Sequence, residues 1–334
     1  MTPELVRGSN PNLKRALVTG GAGFIGSHLV QALLDASLDV LVVDDLSTGF
    51  QRNLEQLTST EKMRFFQGDI CSQNTVDEVV KFQPDLVLHQ AAQMNVRRSV
   101  AEPVFDAQTN VLGTVNILEA ARLAGTKQFL LASTGGAIYG EQESFPAPED
   151  HPVHAECPYG VSKRAGELYL EYYARAAKMS CVALRYANVY GPRQNAKGEA
   201  GVVAIFSERM LAGQTLTING DGEQTRDYVF VGDVVRANLA AIASLSSPGF
   251  NVYNVGRGEE SSVLKVANEL INSWRKHGGA AVKLLHGPAL AGEQRRSVVD
   301  PQRIKSALGW SALVKIEEGL ESTLQSFINA EKTQ

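Results

Sequence analysis

The stretch that most constrains this chain is Leu17-Val-Thr-Gly20-Gly21-Ala-Gly23-Phe-Ile-Gly26, glycines set between an apolar run and an amphipathic one. The glycines satisfy G-x-G-x-x-G through Gly21, Gly23 and Gly26, and G-x-x-G-x-x-G through Gly20, Gly23 and Gly26. A Cβ there would obstruct a tight turn, the approach of backbone to a pyrophosphate, or helix-on-strand packing, and a helix N-terminus offers unpaired N–H groups to an anion. Glycine-rich turns also join ordinary strands to helices, so the context has to decide. The next apolar run, Val40 to Val43, delivers Asp44, 18 residues beyond Gly26. A carboxylate at that strand end accepts both ribose hydroxyls and repels a 2′-phosphate, which points to NAD rather than NADP. The alternative is that Asp44 and Asp45 open a polar turn.

The first half alternates short β-branched runs with longer amphipathic ones, the pattern of βαβ units. Strands are expected at Arg15 to Thr19, Val40 to Val43, Arg64 to Gln67, Leu86 to His89, Gln128 to Ala132 and Cys181 to Arg185. Helices are expected at Gly23 to Ala36, Thr75 to Phe82, Val104 to Ala124 and Tyr159 to Lys178. The fold class is therefore α/β, a doubly wound parallel sheet with a smaller C-terminal α/β lobe. In that lobe helices are expected at Val202 to Ala212, Val231 to Ala243, Val263 to Lys276 and Ile316 to Ile328. Its strands are expected near Leu216 to Ile218, Val252 to Asn254 and Val282 to Leu285. We divide the chain into a mobile leader at 1–12, a dinucleotide-binding domain at 13–190, and a substrate lobe at 191–334 that returns some segments to the first domain.

With 32 Lys plus Arg against 36 Asp plus Glu, the net charge of −4 supplies no broad positive field, which argues against nucleic-acid binding. No apolar run approaches the ~18 residues of a membrane span. The first dozen residues lack the apolar core of a secretory signal. Cys71, Cys157 and Cys181 are too scattered for a disulfide framework or zinc, so a cytoplasmic setting is expected and no metal.

Further candidates fall at strand ends, where open α/β sheets bind ligands. Asp69 and Ile70 follow the third strand; Ala91, Ala92 and Gln93 follow the fourth. The small alanines would let a ring or ribose lie on the backbone, and Asp69 could accept from an adenine amino group, although turn chemistry explains the same residues. Tyr159 and Lys163, at i and i+4, share a helical face, where an ammonium stabilises a phenolate and makes Tyr159 a base for a substrate hydroxyl. Ser133 and Thr134 end the fifth strand as candidate hydroxyl donors. Tyr139 reads as packing, and His151 and His154 as solvated loop residues.

These residues resemble the extended short-chain dehydrogenase/reductase family, and within it the UDP-glucose 4-epimerase group. The likeness runs from about Lys14 to about Phe327. It rests on T-G-G-A-G-F-I-G at 19–26, V-D-D-L-S-T-G at 43–49, H-Q-A-A-Q at 89–93, S-T-G-G-A-I-Y-G at 133–140 and P-Y-G-V-S-K at 158–163. To these the second half adds R-Y-A-N-V-Y-G-P-R-Q at 185–194, G-E-A-G-V-V-A-I-F at 198–206 and G-D-G-E-Q-T-R-D-Y-V-F-V at 220–231. The resemblance implies that Phe24, Ile25, Asp45, Leu46, Ser47, Thr48 and Gly49 join the glycines in binding NAD. It implies that Tyr159 is the catalytic base, that Lys163 holds the nicotinamide ribose, and that Tyr186 gives backbone contacts near the nicotinamide. For a UDP-sugar it implies Asn188 and Arg226 at the diphosphate, Val202 and Val203 at the uridine, and Thr217 and Glu293 nearby. On charge alone Arg226 could instead pair with Asp227 or Glu223.

The sequence departs from the family pattern in three places. Counting back from Tyr139, the assisting hydroxyl falls at Gly135, so its task passes to Thr134, Ser133, a water or no group. Leu290 stands where a second diphosphate arginine is common, and Asn219 where an aromatic residue stacks on uracil. A 4,6-dehydratase would need an acid and a base where Gly136-Ala137 stand. The implied reaction is inversion at sugar C4: Tyr159 takes the hydroxyl proton as hydride moves to NAD, and the 4-keto sugar turns over before hydride returns. UDP-glucose and UDP-galactose are the expected pair, with N-acetylglucosamine or glucuronate forms, or a net dehydratase or dehydrogenase, as alternatives. The family also implies a homodimer through the helix beginning at Tyr159, although Leu168, Leu170, Tyr172 and Ala176 equally suit a core.

Overall fold

The computed structural model describes residues 13–55, 57, 61–196, 201–289 and 294–332. The leader and Glu293 lie outside them. The strands are β1 (Arg15–Thr19), β2 (Asp39–Asp44), β3 (Met63–Gln67), β4 (Leu86–His89), β5 (Gln128–Thr134), β6 (Ser180–Tyr186), β7 (Asn188–Tyr190), β8 (Leu216–Asn219), β9 (Thr225–Phe230), β10 (Gly249–Val255), β11 (Glu260–Ser262), β12 (Leu284–Gly287) and β13 (Arg296–Ser297). Seven form one parallel sheet in the order β10-β6-β5-β4-β1-β2-β3. The order reverses between β1 and β4, and the carboxyl ends of strands open a crevice at such a switch point.

The central strands are apolar at nearly every position because helices cover both faces of the sheet. On one face Leu29, Val30 and Leu33 of the helix Phe24–Asp35 pack with Val234, Ala237 and Ala241 of Val231–Ser244. On the other, Val79 and Phe82, Ile117 and Leu118, and Leu170 and Tyr173 come from the helices Gln73–Phe82, Gly113–Ala124 and Pro158–Ala176. A third cluster, including Tyr190, Phe206, Leu216, Leu270 and Leu320, fills the smaller lobe.

Besides short strands and helices that the sequence reading did not place, such as β7, β9 and Gln302–Leu308, three differences bear on the sheet and the site. The expected helix Val104 to Ala124 is broken: Pro103–Ala107 and Gly113–Ala124 flank a π-helical segment, Gln108–Leu112. There Asn110 turns inward and bonds both the N–H and the C=O of Gln93, at 2.8 and 2.7 Å. The short helix Val96–Ala101, capped by Asn95, was not expected, since its Arg97-Arg98 interrupts any apolar period. β10 is longer than Val252 to Asn254 and joins the main sheet beside β6; only its last three residues are buried, so its pattern is that of an edge. No helix among the described residues is long and apolar enough to cross a membrane.

Candidate active site

One cavity of about 1150 Å³ runs along the crevice and into the smaller lobe, from Asp44 and Gly20 at one end to Val203 and Arg226 at the other. Ordinary ligand pockets span about 300–1,000 Å³, so this one is large enough for two sizeable ligands end to end.

Its first wall is backbone. Gly20 has φ +68°, and a Cβ on Gly26 would lie 2.1 Å from the Gly20 carbonyl oxygen, so turn and helix touch as only glycine permits. The helix Phe24–Asp35 begins at Gly23 with no side-chain cap and no acid in its first turn. Its orphan N–H groups, with Gly20, Gly23, Phe24, Ile25 and Gly26 along the cavity, make a cradle that suits a pyrophosphate. Asp44 accepts the N–H groups of Ala22 and Leu46 at 2.9 and 2.8 Å while facing the cavity, and burial pushes its carboxyl above the usual range against the pull of those amides. Asp45, Ser47, Thr48, Asp69, Ile70, Ala91, Ala92 and Gln93 also line it. Leu46 and Gly49 stand behind the wall: Leu46 turns at φ +62°, and a Cβ on Gly49 would meet Ala22 at 2.9 Å. A cradle, a carboxylate and flat small residues in this order fit NAD.

The middle of the cavity is titratable. Tyr159 and Lys163 both line it from the first turns of Pro158–Ala176, with the ammonium nitrogen 5.9 Å from the phenol ring centroid. Lys163 Nζ donates to the Ala132 carbonyl at 2.9 Å. Burial draws Lys163 down to about 8, against the opposing pull of the Asp106 and Glu167 carboxylates. Burial pushes the Tyr159 phenol up, and Cys157 and Asp106 push the same way. His89, fully buried, bridges Thr19 (2.7 Å) and Thr114 (3.0 Å); because Thr114 donates to the Asn110 carbonyl at 2.7 Å, His89 donates from Nε2 and accepts at Nδ1. Burial lowers it to about 3, so it remains neutral.

The two candidate hydroxyls part company. Ser133 donates to Glu167 at 2.6 Å, and Glu167 is itself clamped by Arg185 at 2.8 and 2.7 Å and by Arg164 at 2.9 Å. Thr134 accepts the Ala137 N–H at 3.2 Å, a bond that does not use its own proton. Position 135 faces inward: a Cβ there would lie 2.7 Å from the buried Val299, so this backbone has no room for a family-type hydroxyl. Gly136 is the neighbour that lines the cavity.

The far wall consists of side chains on short elements. Asn188, Val202, Val203 and Arg226 line it, and Arg226 Nη1 donates to the Thr225 carbonyl at 2.7 Å. Asp227 instead accepts the amides of Arg257 and Gly258 at 2.8 and 3.0 Å. Thr217 corrects the expectation: β8 alternates, Leu216 and Ile218 enter the lobe core, and Thr217 is exposed outside the cavity. Tyr186 borders the cavity, its hydroxyl tied to Asn238 at 2.9 Å, and its carbonyl accepts Gly135 N–H at 2.7 Å. His151 is buried rather than solvated, accepting the Glu143 N–H at 2.8 Å and packing edge-on to Tyr139. Sequence reasoning missed Asn95, Arg97, Gln194, Tyr228 and Gln294 on the walls; they sit on loops and short elements and carry no local pattern.

A parallel sheet with a dinucleotide cradle and an adjoining Tyr–Lys pair defines a nucleotide-cofactor enzyme of the hydride-transfer type. Residues 16–256 match the NAD dependent epimerase/dehydratase family, and the chain belongs to it. It is 44% identical to the UDP-glucose 4-epimerase of Mycolicibacterium smegmatis, over 94% of this chain and 99% of that protein. Among solved structures it resembles Thermotoga maritima UDP-glucose 4-epimerase with UDP-glucose, at 43% identity and TM-score 0.88, covering 95% of this chain and 99% of that one. It also resembles the Thermus thermophilus UDP-glucose 4-epimerase complex with NAD, at 42% identity and TM-score 0.85 over the same shares.

Proposed function

We infer that this chain is an NAD-dependent UDP-glucose 4-epimerase, interconverting UDP-glucose and UDP-galactose through a 4-keto sugar. The observation that carries this reading is the continuity of one cavity past cradle, Tyr–Lys pair and Arg226 wall. When bound, NAD supplies a reversible hydride acceptor for the carbon whose hydroxyl is deprotonated. Tyr159 takes that proton. Lys163, held by the Ala132 carbonyl, stabilises the phenolate by its charge and reaches the ribose. Thr134, whose proton no bond in this region requires, donates to the sugar oxygen in place of a hydroxyl at 135. Tyr186 offers its backbone beside the nicotinamide. Asn188 and Arg226 hold the diphosphate, and Val202 and Val203 the uridine, so the sugar can turn on its anchor. Residues 13–190 thus serve mainly the cofactor and 191–334 mainly the substrate.

Incubating the purified protein with UDP-glucose and resolving the products tests this directly: UDP-galactose forms without a steady rise in NADH absorbance. A steady rise would mark a dehydrogenase. Parallel arms with UDP-N-acetylglucosamine and UDP-glucuronate assign the sugar, and UDP-galactose formation would place the enzyme in galactose metabolism.

The helices Val96–Ala101, Pro103–Ala107, Gly113–Ala124 and Pro158–Ala176 and the π-segment expose Val100, Val104, Leu112, Leu123, Val161, Leu168, Tyr169 and Tyr172. So many exposed apolar side chains mark a protein interface, and a second copy of this chain is the occupant. Sedimentation at twice the chain mass, lost in Leu168→Glu, is the expected result. Three free cysteines suit a reducing, cytoplasmic setting.

A further inference from the structure

Asp106 is fully buried behind the Tyr–Lys pair, on the short helix Pro103–Ala107. Its Oδ1 accepts from Gln93 Nε2 at 2.9 Å and Asn110 Nδ2 at 3.0 Å; its Oδ2 accepts from Ser162 Oγ at 2.7 Å. The amides cannot flip. Gln93 Oε1 accepts the Asn95 N–H at 2.6 Å, and Asn110 pairs with both backbone groups of Gln93. Oδ1 thus accepts from two side-chain amides whose orientation is fixed, and Oδ2 meets the Ser162 hydroxyl.

Glu167, the other buried carboxylate beside Lys163, is matched by Arg185 and Arg164. Among the described residues Asp106 is given no such arginine or lysine contact, only neutral donors. Burying a carboxylate without a direct ion pair is costly, and a hydrogen-bonding role does not require the charge. An asparagine could accept two of the bonds through Oδ1 and donate the third to Ser162. The charge itself therefore has a use, and Ser162, which bonds it, is the residue immediately before Lys163.

We propose that Asp106 is a positioning residue for the proton-transfer pair: its charge keeps Lys163 an ammonium beside Tyr159, and its bond to Ser162 fixes the helical turn between them. This rests on Tyr159 and Lys163 being the pair that moves the proton. The groups facing Lys163 are Asp106 from the opposing helix, Glu167 and Tyr159 from its own helix, and the neutral His89 from β4; Cys157 lies beside Tyr159. Of the two carboxylates, Asp106 pulls harder against the desolvation of Lys163. The same charge opposes phenolate formation at Tyr159. Asp106 thus trades some acidity of the phenol, and so some readiness to form phenolate, for a lasting positive charge next to it.

The test is a ¹³C NMR titration of the NAD-loaded protein labelled at lysine Cε, with the Lys163 resonance assigned by its loss in Lys163→Arg. In the wild type Lys163 remains protonated at pH 7; a neutral Lys163 there overturns the proposal whether or not any variant folds. In Asp106→Asn the Lys163 midpoint falls by roughly one pH unit, the effect of losing one close opposite charge, and the basic limb of the kcat profile falls with it. In Ser162→Ala, which keeps the charge and removes the bond, the midpoint stays in place while kcat drops. A midpoint unchanged in Asp106→Asn, or moved equally in Ser162→Ala, overturns the proposal. Failure of the epimerase reading looks different: Lys163 would titrate as described while UDP-glucose went unconverted.

Discussion

The two walls of the cavity, one proposed above for the cofactor and the other for the substrate, are built by different means. The cofactor wall is backbone: two glycines in contact, an uncapped helix N-terminus and strand ends buried on both faces. The wall proposed for the substrate is side chain: Asn188, Val202 and Arg226, carried on a three-residue strand, a helix start and one strand of a small sheet. A backbone cradle is fixed as soon as the sheet forms, and changing it disturbs fold and binding together. A side-chain wall can lose one contact at a time. The cofactor side should therefore fail abruptly and the substrate side by degrees, with Tyr159 between them governing rate.

The largest effect expected is at that junction. Tyr159→Phe removes the proton acceptor and keeps the ring, so kcat falls by roughly 10²- to 10⁴-fold while KM for UDP-glucose and the bound NAD content hold. Steady-state kinetics with mass spectrometry of the bound cofactor checks this; a fall in KM-governed rate alone would move Tyr159 from chemistry to binding.

Next comes the cradle. Gly26→Ala sets a methyl against the Gly20 carbonyl, and overpacking of about 1–3 kcal/mol corresponds to roughly 5- to 150-fold weaker NAD retention. Dialysis followed by cofactor assay reads it. Retention at the wild-type level would show that the turn can spread, and the contrast between the walls would break down.

The same contrast explains what could be read from sequence. β1 and β4 fall where the apolar runs place them, because a parallel strand buried on both faces has no other composition available. The glycine cradle is legible because backbone recognition is written in consecutive residues. The π-segment at Asn110 escapes any helical period, since one inward amide held by Gln93 sets it. The pairing of Glu167 with Arg185, 18 residues apart on a helix and a strand, leaves no local trace. Thr217 shows a related limit: resemblance carries a position across, but alternation along β8 turns its side chain to the exposed face.

Arg226→Ala should be gentler than either change above. Losing one charge-assisted contact of about 1.5–3 kcal/mol, discounted because the guanidinium is part-exposed, raises KM for UDP-glucose by roughly tenfold and leaves NAD retention and kcat nearly intact. If kcat fell as steeply as KM rose, Arg226 would be acting in the transition state, and the far wall could not be called a graded anchor.

The smallest effect expected separates two adjacent hydroxyls. Thr134 and Ser133 are consecutive on β5 and so point to opposite faces of the strand. Ser133 commits its proton to Glu167, inside the cluster that ties the catalytic helix to β6. Among the described residues, Thr134 Oγ1 holds only an accepted bond from Ala137. Thr134→Val should therefore lower kcat several-fold, by about 1 kcal/mol of lost hydrogen bonding, with thermal stability unchanged. Ser133→Ala should do the reverse, lowering stability by about 1 kcal/mol with kcat nearly preserved. Measuring kcat and Tm on both variants decides the point. If the two exchange roles, the proton reaching the sugar oxygen comes from the Glu167 side of the strand, and the buried cluster becomes part of the chemistry.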